Sequence, residues 1–269
     1  MLIRIATALV GIPLFLGALY VGKWPLFALV AGMGLVGFFE FTRILRAKGV
    51  QVAEGVGYAG VLGLLLWAQM APASSALLGG ILTAVILLSL LWLLKGFPER
   101  TWLEATATVG GVVYTGFLLS HLLLLRNLGG GSGWDLGLGW VALAFFCTWS
   151  ADSFAYFAGR AFGRRKLAPK ISPGKSVEGF FGGLVGAVIV GALWAPVIDQ
   201  TRLLGAGVGL AVALIAPVGD LAESALKRYA GVKDSGKLLP GHGGVLDRFD
   251  SSLFVLPVVY YVVILLGGR

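Results

Sequence analysis

Charge is what this chain of 269 residues has least of. Asp, Glu, Lys and Arg together make up 13%, about half the share in soluble domains. The one cysteine, Cys147, excludes an internal disulfide, and with only two histidines, His121 and His242, no Cys/His cluster exists to bind zinc. A Ser/His/Asp triad finds no support either. Cys147 lies in an apolar run, where packing is its expected role, and His121 sits alone in another. Apolar surface, by contrast, is abundant. Counting glycine and leaving out tyrosine, apolar residues reach about 71%, against about 45–50% in soluble domains. That excess excludes intrinsic disorder and argues against a water-soluble globule, which could not cover itself with polar groups. The composition reads as an all-α polytopic membrane protein.

A spanning helix needs about 20 mostly apolar residues. Nine stretches qualify, at 4–22, 25–42, 56–71, 76–94, 105–126, 138–159, 178–198, 203–227 and 250–267. The third is short, and Pro72 through Ser75 separates it from the fourth. The first has a long apolar run with no A-x-A site after it, and reads as a spanning helix rather than a signal peptide. The basic residues test the topology. With the N-terminus cytoplasmic and the C-terminus outside, 17 of the 21 Lys and Arg fall on the cytoplasmic side, among them Arg4, Arg43, Arg46, Lys48, Lys95 and Arg100. Only Lys23, Arg126, Arg202 and Arg269 fall on the other side, a strong positive-inside asymmetry. The net charge of +8 thus belongs to loops, and with no separate basic domain nucleic acid is not an expected partner.

The chain divides into motif-free N-terminal helices over 1–137 and a motif-bearing region over 138–269. The latter carries two long, basic, Gly- or Pro-rich cytoplasmic segments, 160–177 and 228–249. Gly129–Gly133 predicts a flexible external loop, and the glycines of Gly182–Gly186 and Gly205–Gly209 predict close helix packing.

Ionisable residues inside spanning segments are costly and usually functional. In the first half, Glu40 lies near a helix end with Arg43 three residues on, and reads as an anchoring pair. The second half is richer. Asp152 lies about two turns before a cytoplasmic helix end. Asp220, Glu223, Ser224 and Lys227 fall on one helical face. Asp247 and Asp250 open the last helix. Carboxylates on neighbouring helix ends, bordered by Lys and Arg, suit binding of hard cations such as Mg²⁺ and neutralisation of phosphates. A set of internal salt bridges is the competing explanation.

Other motif matches carry less. Gly32 through Gly37 satisfies G-x-G-x-x-G, but inside an apolar helix with no strand before it, so packing is expected. Gly174-Lys175-Ser176 matches the end of a Walker A loop, yet Pro169 stands where the first glycine belongs. That excludes a P-loop while leaving Lys175 free to meet phosphate as a point charge. His242, between Gly241 and Gly243-Gly244, has small neighbours that let backbone N–H groups approach an anion; a purely structural turn is the other possibility.

The run Ser224-x-x-Lys227-Arg228, Lys233-Asp234-x-Gly236, Leu239-Pro240-x-His242-Gly243-Gly244-x-x-Asp247-Arg248-x-Asp250 resembles the signature of the phosphatidate cytidylyltransferases (CDP-diacylglycerol synthases) at every fixed position. Asp152 through Tyr156 and Ser172 through Gly179 also resemble that family, so the likeness covers roughly residues 148–253. It implies transfer of a cytidylyl group from CTP to phosphatidate, giving CDP-diacylglycerol and pyrophosphate. It also implies a homodimer and a metal centre on Asp220 and Asp247, with Mg²⁺ and K⁺ as a candidate second ion. On that footing Lys175, Lys227, Arg228 and Arg248 neutralise the pyrophosphate, and Asp152, Glu223 and Asp250 complete the metal shell or orient its waters. Ser172, Ser176, Glu178, Ser224, Lys233, His242, Gly243 and Gly244 are expected to line the substrate site. No general base is needed, because the lipid phosphomonoester is already anionic. CTP is cytosolic, so the site should face the cytoplasm, and the compact chain suggests a bacterial inner membrane. A CTP-dependent polyprenol kinase-like enzyme and a secondary transporter remain as alternatives. The CDP-alcohol phosphotransferases are set aside because their pattern begins Asp-Gly, a pair absent here.

Overall fold

The computed structural model describes residues 2–236 and 243–266. Each of the nine apolar stretches falls on a helical segment. The helices are α1 (Leu2–Val21), α2 (Lys23–Arg46), α3 (Glu54–Met70), α4 (Ser75–Lys95), α5 (Trp102–Val112), α6 (Leu118–Arg126), α7 (Leu136–Phe162), α8 (Val177–Trp194), α9 (Arg202–Ala230) and α10 (Leu246–Leu265). A single π-helical turn, Val113–Phe117, joins α5 to α6, so the stretch at 105–126 is one rod. Among the described residues, seven helices are long and apolar enough to cross a membrane. The third stretch, α3, has 17 residues and falls short of that length. The protein is a helical, multi-pass membrane protein.

Helix surfaces show what the solvent is. On α4 only Val85, Ser89 and Leu93 are buried, one stripe at i, i+4 and i+8, while Ile86, Leu87, Leu88, Leu91 and Leu94 are exposed. An apolar outer face with a narrow packed seam is what lipid allows, since hydrocarbon does not penalise exposed leucine.

One element departs from the all-helical expectation. Within the basic, Gly- or Pro-rich segment 160–177, β1 (Lys166–Ala168) and β2 (Ser172–Ser176) form a short antiparallel hairpin, with Lys166 opposite Ser176 and Ala168 opposite Ser172. Pro169 and Pro173 disfavour helix across this segment. The two extended arms satisfy each other's backbone groups instead, and the Val177 amide donates to the Arg165 carbonyl at 2.9 Å beyond the ladder.

The chain forms two compact units. The first comprises Met1–Leu124 and Tyr229–Arg248; the second comprises Leu125–Arg228 and Phe249–Arg269. The core of the first unit is built on Phe38, Val61, Leu64, Leu65 and Val112, all fully buried. The glycine-rich 32–37 segment packs as expected: a Cβ at Gly34 would sit 3.1 Å from both Leu65 Cδ1 and Val61 Cγ1. His121 is also a packing residue, its Nδ1 2.9 Å from the Phe117 carbonyl oxygen and its ring edge-on to Phe117. In the second unit α7 and α8 approach closely, with a Cβ at Gly183 only 2.7 Å from the Ala151 carbonyl. Side chains added at Gly205 or Gly209 would collide with α8 backbone. Cys147 is buried in this seam and its Sγ donates to the Ala187 carbonyl at 3.5 Å.

The loop before α7 is organised rather than free. Asp135 caps α7 by accepting from the Leu138 amide at 2.9 Å, and it also accepts from the amides of Gly131 and Ser132. The fully buried Arg126 donates from Nη1 to both Asp135 oxygens, at 2.7 and 2.9 Å, and from Nη2 to the Gly133 carbonyl. Burial alone would raise the Asp135 carboxyl, but the Leu138 amide and Arg126 outweigh it and hold the group below its ordinary 3.8. A depressed carboxylate contributes stability that is present above the ordinary value and lost as pH falls through the folded one. Asp135→Asn is therefore expected to cost about 3–5 kcal/mol at neutral pH by removing the charge that faces the buried Arg126. In thermal melts of the detergent-solubilised protein, its gap to wild type should close only below about pH 4.

Candidate active site

The second unit gathers charge from four elements. On α9 the spacing of Asp220, Glu223, Ser224 and Lys227 places them on one face, as predicted. Ser224 Oγ donates to Asp220 Oδ1 at 3.2 Å, and Lys227 Nζ lies 2.5 Å from Glu223 Oε2. Glu223 is almost wholly buried, with 1% of its side chain exposed, a position a carboxylate tolerates only with a cation beside it. The hairpin contributes Lys175, which pairs with Asp220 Oδ2. Asp152 on α7 lies within electrostatic reach of Lys175 and Asp220. Asp250, in the first turn of α10, lies within reach of Asp220, Lys227 and Asp152, and accepts from the Ser251 amide at 2.6 Å. Gly219 makes this possible, because a Cβ there would run into the Asp250 carbonyl and Ser251 Cα. Without it, α9 and α10 could not bring these acids together.

The balance of charge is informative. Among the described residues, Asp152, Asp220, Glu223 and Asp250 lie around Lys175 and Lys227, so the acids named outnumber the ammonium groups paired with them. An excess of acids in such a cluster is what a divalent cation offsets. The donors are all carboxylate oxygens, the hard ligands Mg²⁺ takes. Among the described residues no three His, Cys, Asp or Glu side chains are gathered into a cage for an ion. Mg²⁺ does not require one, since it commonly uses one or two carboxylates, waters and the phosphates of its substrate. The residues therefore fit the ion.

The first unit holds the other half of the signature. Asp247 is in the first turn of α10, and its Oδ2 accepts from the Ser235 amide at 2.9 Å, Ser235 Oγ at 2.8 Å and the Gly244 amide at 2.8 Å. One oxygen of this acid is committed to folding the loop before it. Gly243, at φ +85, turns the chain into that contact. Glu40 corrects an expectation. It does not serve as an anchoring partner of the exposed Arg43. It is buried, 2% exposed, and accepts from Ser235 Oγ at 3.1 Å, the Val245 amide at 3.0 Å and the Leu246 amide at 2.9 Å. Its signal in the sequence was its isolation, an acid in an apolar segment.

The remaining positions divide by local role. Ser176 caps α8, accepting from the Gly179 amide at 3.1 Å. Glu178 accepts from the amides of Arg164 and Arg165, tying the hairpin to α8. Ser172 opens β2 opposite Ala168. Arg228, Lys233 and Arg248 are exposed and Gly244 is buried. His242 lies outside the described residues.

Apolar helices of spanning length, with a carboxylate-rich ionic cluster built into their ends, define a polytopic membrane protein equipped for charged ligands. The family is then given by comparison. Residues 2–266 match the profile of the cytidylyltransferase family, and the chain belongs to that family. It is 37% identical to the phosphatidate cytidylyltransferase of Bacillus subtilis (strain 168) over 97% of each chain. It is likewise 37% identical to the phosphatidate cytidylyltransferase of Synechocystis sp., over 98% of this chain and 96% of the relative. The protein of that name from Thermotoga maritima is 42% identical over 64% of this chain and 63% of its own. The likeness read from residues 148–253 thus extends over nearly the whole sequence.

Proposed function

We propose that this chain transfers the cytidylyl group of CTP to phosphatidate, forming CDP-diacylglycerol and pyrophosphate for phospholipid synthesis. In this reading it works as a homodimer in a bacterial inner membrane. The observation that carries the chemistry is the carboxylate surplus of Asp152, Asp220, Glu223 and Asp250 beside Lys175 and Lys227. The phosphatidate oxygen attacks the α-phosphorus of CTP, a new P–O bond forms, and the bond to the β-phosphate bridging oxygen breaks. The attacking group is already an anion, so the protein's task is to bring two polyanions together. Lys175 and Lys227, each held by an acid, present ammonium groups to the phosphates, and Arg228 and Arg248 add charge for the departing pyrophosphate. Asp220 would hold Mg²⁺, with Asp152, Glu223 and Asp250 completing its shell or orienting its waters, and Asp247 is the further ligand the family signature implies, K⁺ being a candidate second ion. Bound there, the cation supplies charge neutralisation to the phosphoryl oxygens.

Nine spans with the N-terminus cytoplasmic and the C-terminus outside suit this chemistry, because 17 of 21 basic residues then lie on the side where CTP is found. The test uses purified protein with CTP labelled at the α-phosphate and phosphatidate in mixed micelles. Label should enter the lipid with equimolar pyrophosphate, stop in excess EDTA and return with Mg²⁺. Release of CDP with γ-phosphate transfer would favour a polyprenol kinase-like enzyme, and full activity in EDTA would remove the metal.

A further inference from the structure

We propose that Glu40 is a positioning residue for the signature segment, setting Ser235 and through it Asp247, a role that rests on the cytidylyltransferase reading. A buried carboxylate persists only where its charge is met by donors, and Glu40 meets two amides and a hydroxyl that it shares with Asp247. Oε1 accepts from the Val245 amide at 3.0 Å, while Oε2 accepts from the Leu246 amide at 2.9 Å and Ser235 Oγ at 3.1 Å. Those amides open α10, where a negative charge also suits the helix dipole. The result is that an acid on α2 fixes the start of the helix that carries Asp247.

A second observation is independent of these bonds. A Cβ added at Gly236 or Gly244 would run into the Glu40 carboxylate, and at Gly244 also into Ser235 Oγ. Two glycines of the signature thus leave the space that this side chain fills. The loop is moulded around Glu40.

Ser235 makes the connection. Its hydroxyl stands 3.1 Å from Glu40 Oε2 and 2.8 Å from Asp247 Oδ2, and its amide donates to the same Asp247 oxygen at 2.9 Å. A hydroxyl has one proton for two acceptors. Where Ser235 sits, and so where it holds Asp247, depends on Glu40. A carboxylate is required because both oxygens accept; glutamine would turn an NH₂ donor toward amide or hydroxyl donors. Aspartate is one methylene shorter and cannot reach all three groups from α2.

The test compares Glu40→Gln and Ser235→Ala with wild type in the purified enzyme. Three readouts are taken: kcat and KM for CTP, hydrogen exchange of the peptide spanning residues 243–250, and the thermal midpoint. Misplacing a group that acts in the transition state lowers kcat more than it raises KM. Glu40→Gln is expected to lower kcat about 100-fold with KM changed less than about threefold. Its exchange at 243–250 should quicken at least about tenfold while that of α8 and α9 stays the same. Ser235→Ala keeps the Glu40 bonds to α10 and should lower kcat about tenfold without that change in exchange. Wild-type kcat in either variant overturns the proposal, as does unchanged exchange in Glu40→Gln. Should Glu40→Gln fail to fold, the kcat of Ser235→Ala decides alone. A wild-type enzyme that makes no CDP-diacylglycerol would instead sink the functional reading, while the exchange comparison would still test the hold of Glu40 on the loop.

Discussion

Asp220→Asn is expected to lower CDP-diacylglycerol formation by at least about 10³-fold while leaving the protein folded. Asparagine has nearly the same shape, so Ser224 keeps an acceptor and α9 keeps its packing. What is lost is one negative charge from a cluster in which four acids face two lysines. The excess of acids that suits a divalent ion shrinks, and Lys175 loses the partner that aims it. The fold should tolerate this, since Asp220 and Lys175 are about one-third exposed, 31% and 28%, and such pairs contribute about 1 kcal/mol or less to stability. Label transfer from CTP, measured beside a thermal melt, checks both halves. Near-normal turnover would remove Asp220 from the chemistry.

The second large effect separates charge from scaffold at Asp247. Asp247→Ala removes the oxygen that accepts from the Ser235 amide, Ser235 Oγ and the Gly244 amide. Turnover should fall by at least about 100-fold, and hydrogen exchange should quicken across residues 231–236 and 243–248. Asp247→Asn keeps an oxygen able to accept from those groups, so exchange should stay near wild type while turnover still falls, through loss of the charge alone. Equal exchange in the two variants would show that the loop does not depend on this carboxylate.

What the sequence revealed, and what it hid, follows the range of the interactions. Periodicity and apolar length are local, and they located α1 to α10 and the single face of α9 that carries Asp220, Glu223, Ser224 and Lys227. The signature segment announced Asp247 by spacing. Glu40 was misread as a partner of Arg43 because its bonds join residues 195 to 206 positions apart. Nothing in a helical pattern reports a contact of that separation. The hairpin of β1 and β2 escaped for a different reason: its strands are 3 and 5 residues long, too short for alternation to register. The loop before α7 looked flexible from its glycines, whereas Asp135 and the buried Arg126 give it a frame. In each case a side chain reached outside the window in which composition speaks.

The most direct measurement is the binding of Mn²⁺, standing in for Mg²⁺, to the purified protein by electron paramagnetic resonance in the presence of CTP. The carboxylate surplus predicts that wild type binds the ion and that Asp220→Asn binds it at least about tenfold more weakly. Equal affinity in the two proteins would contradict a cation held on these acids.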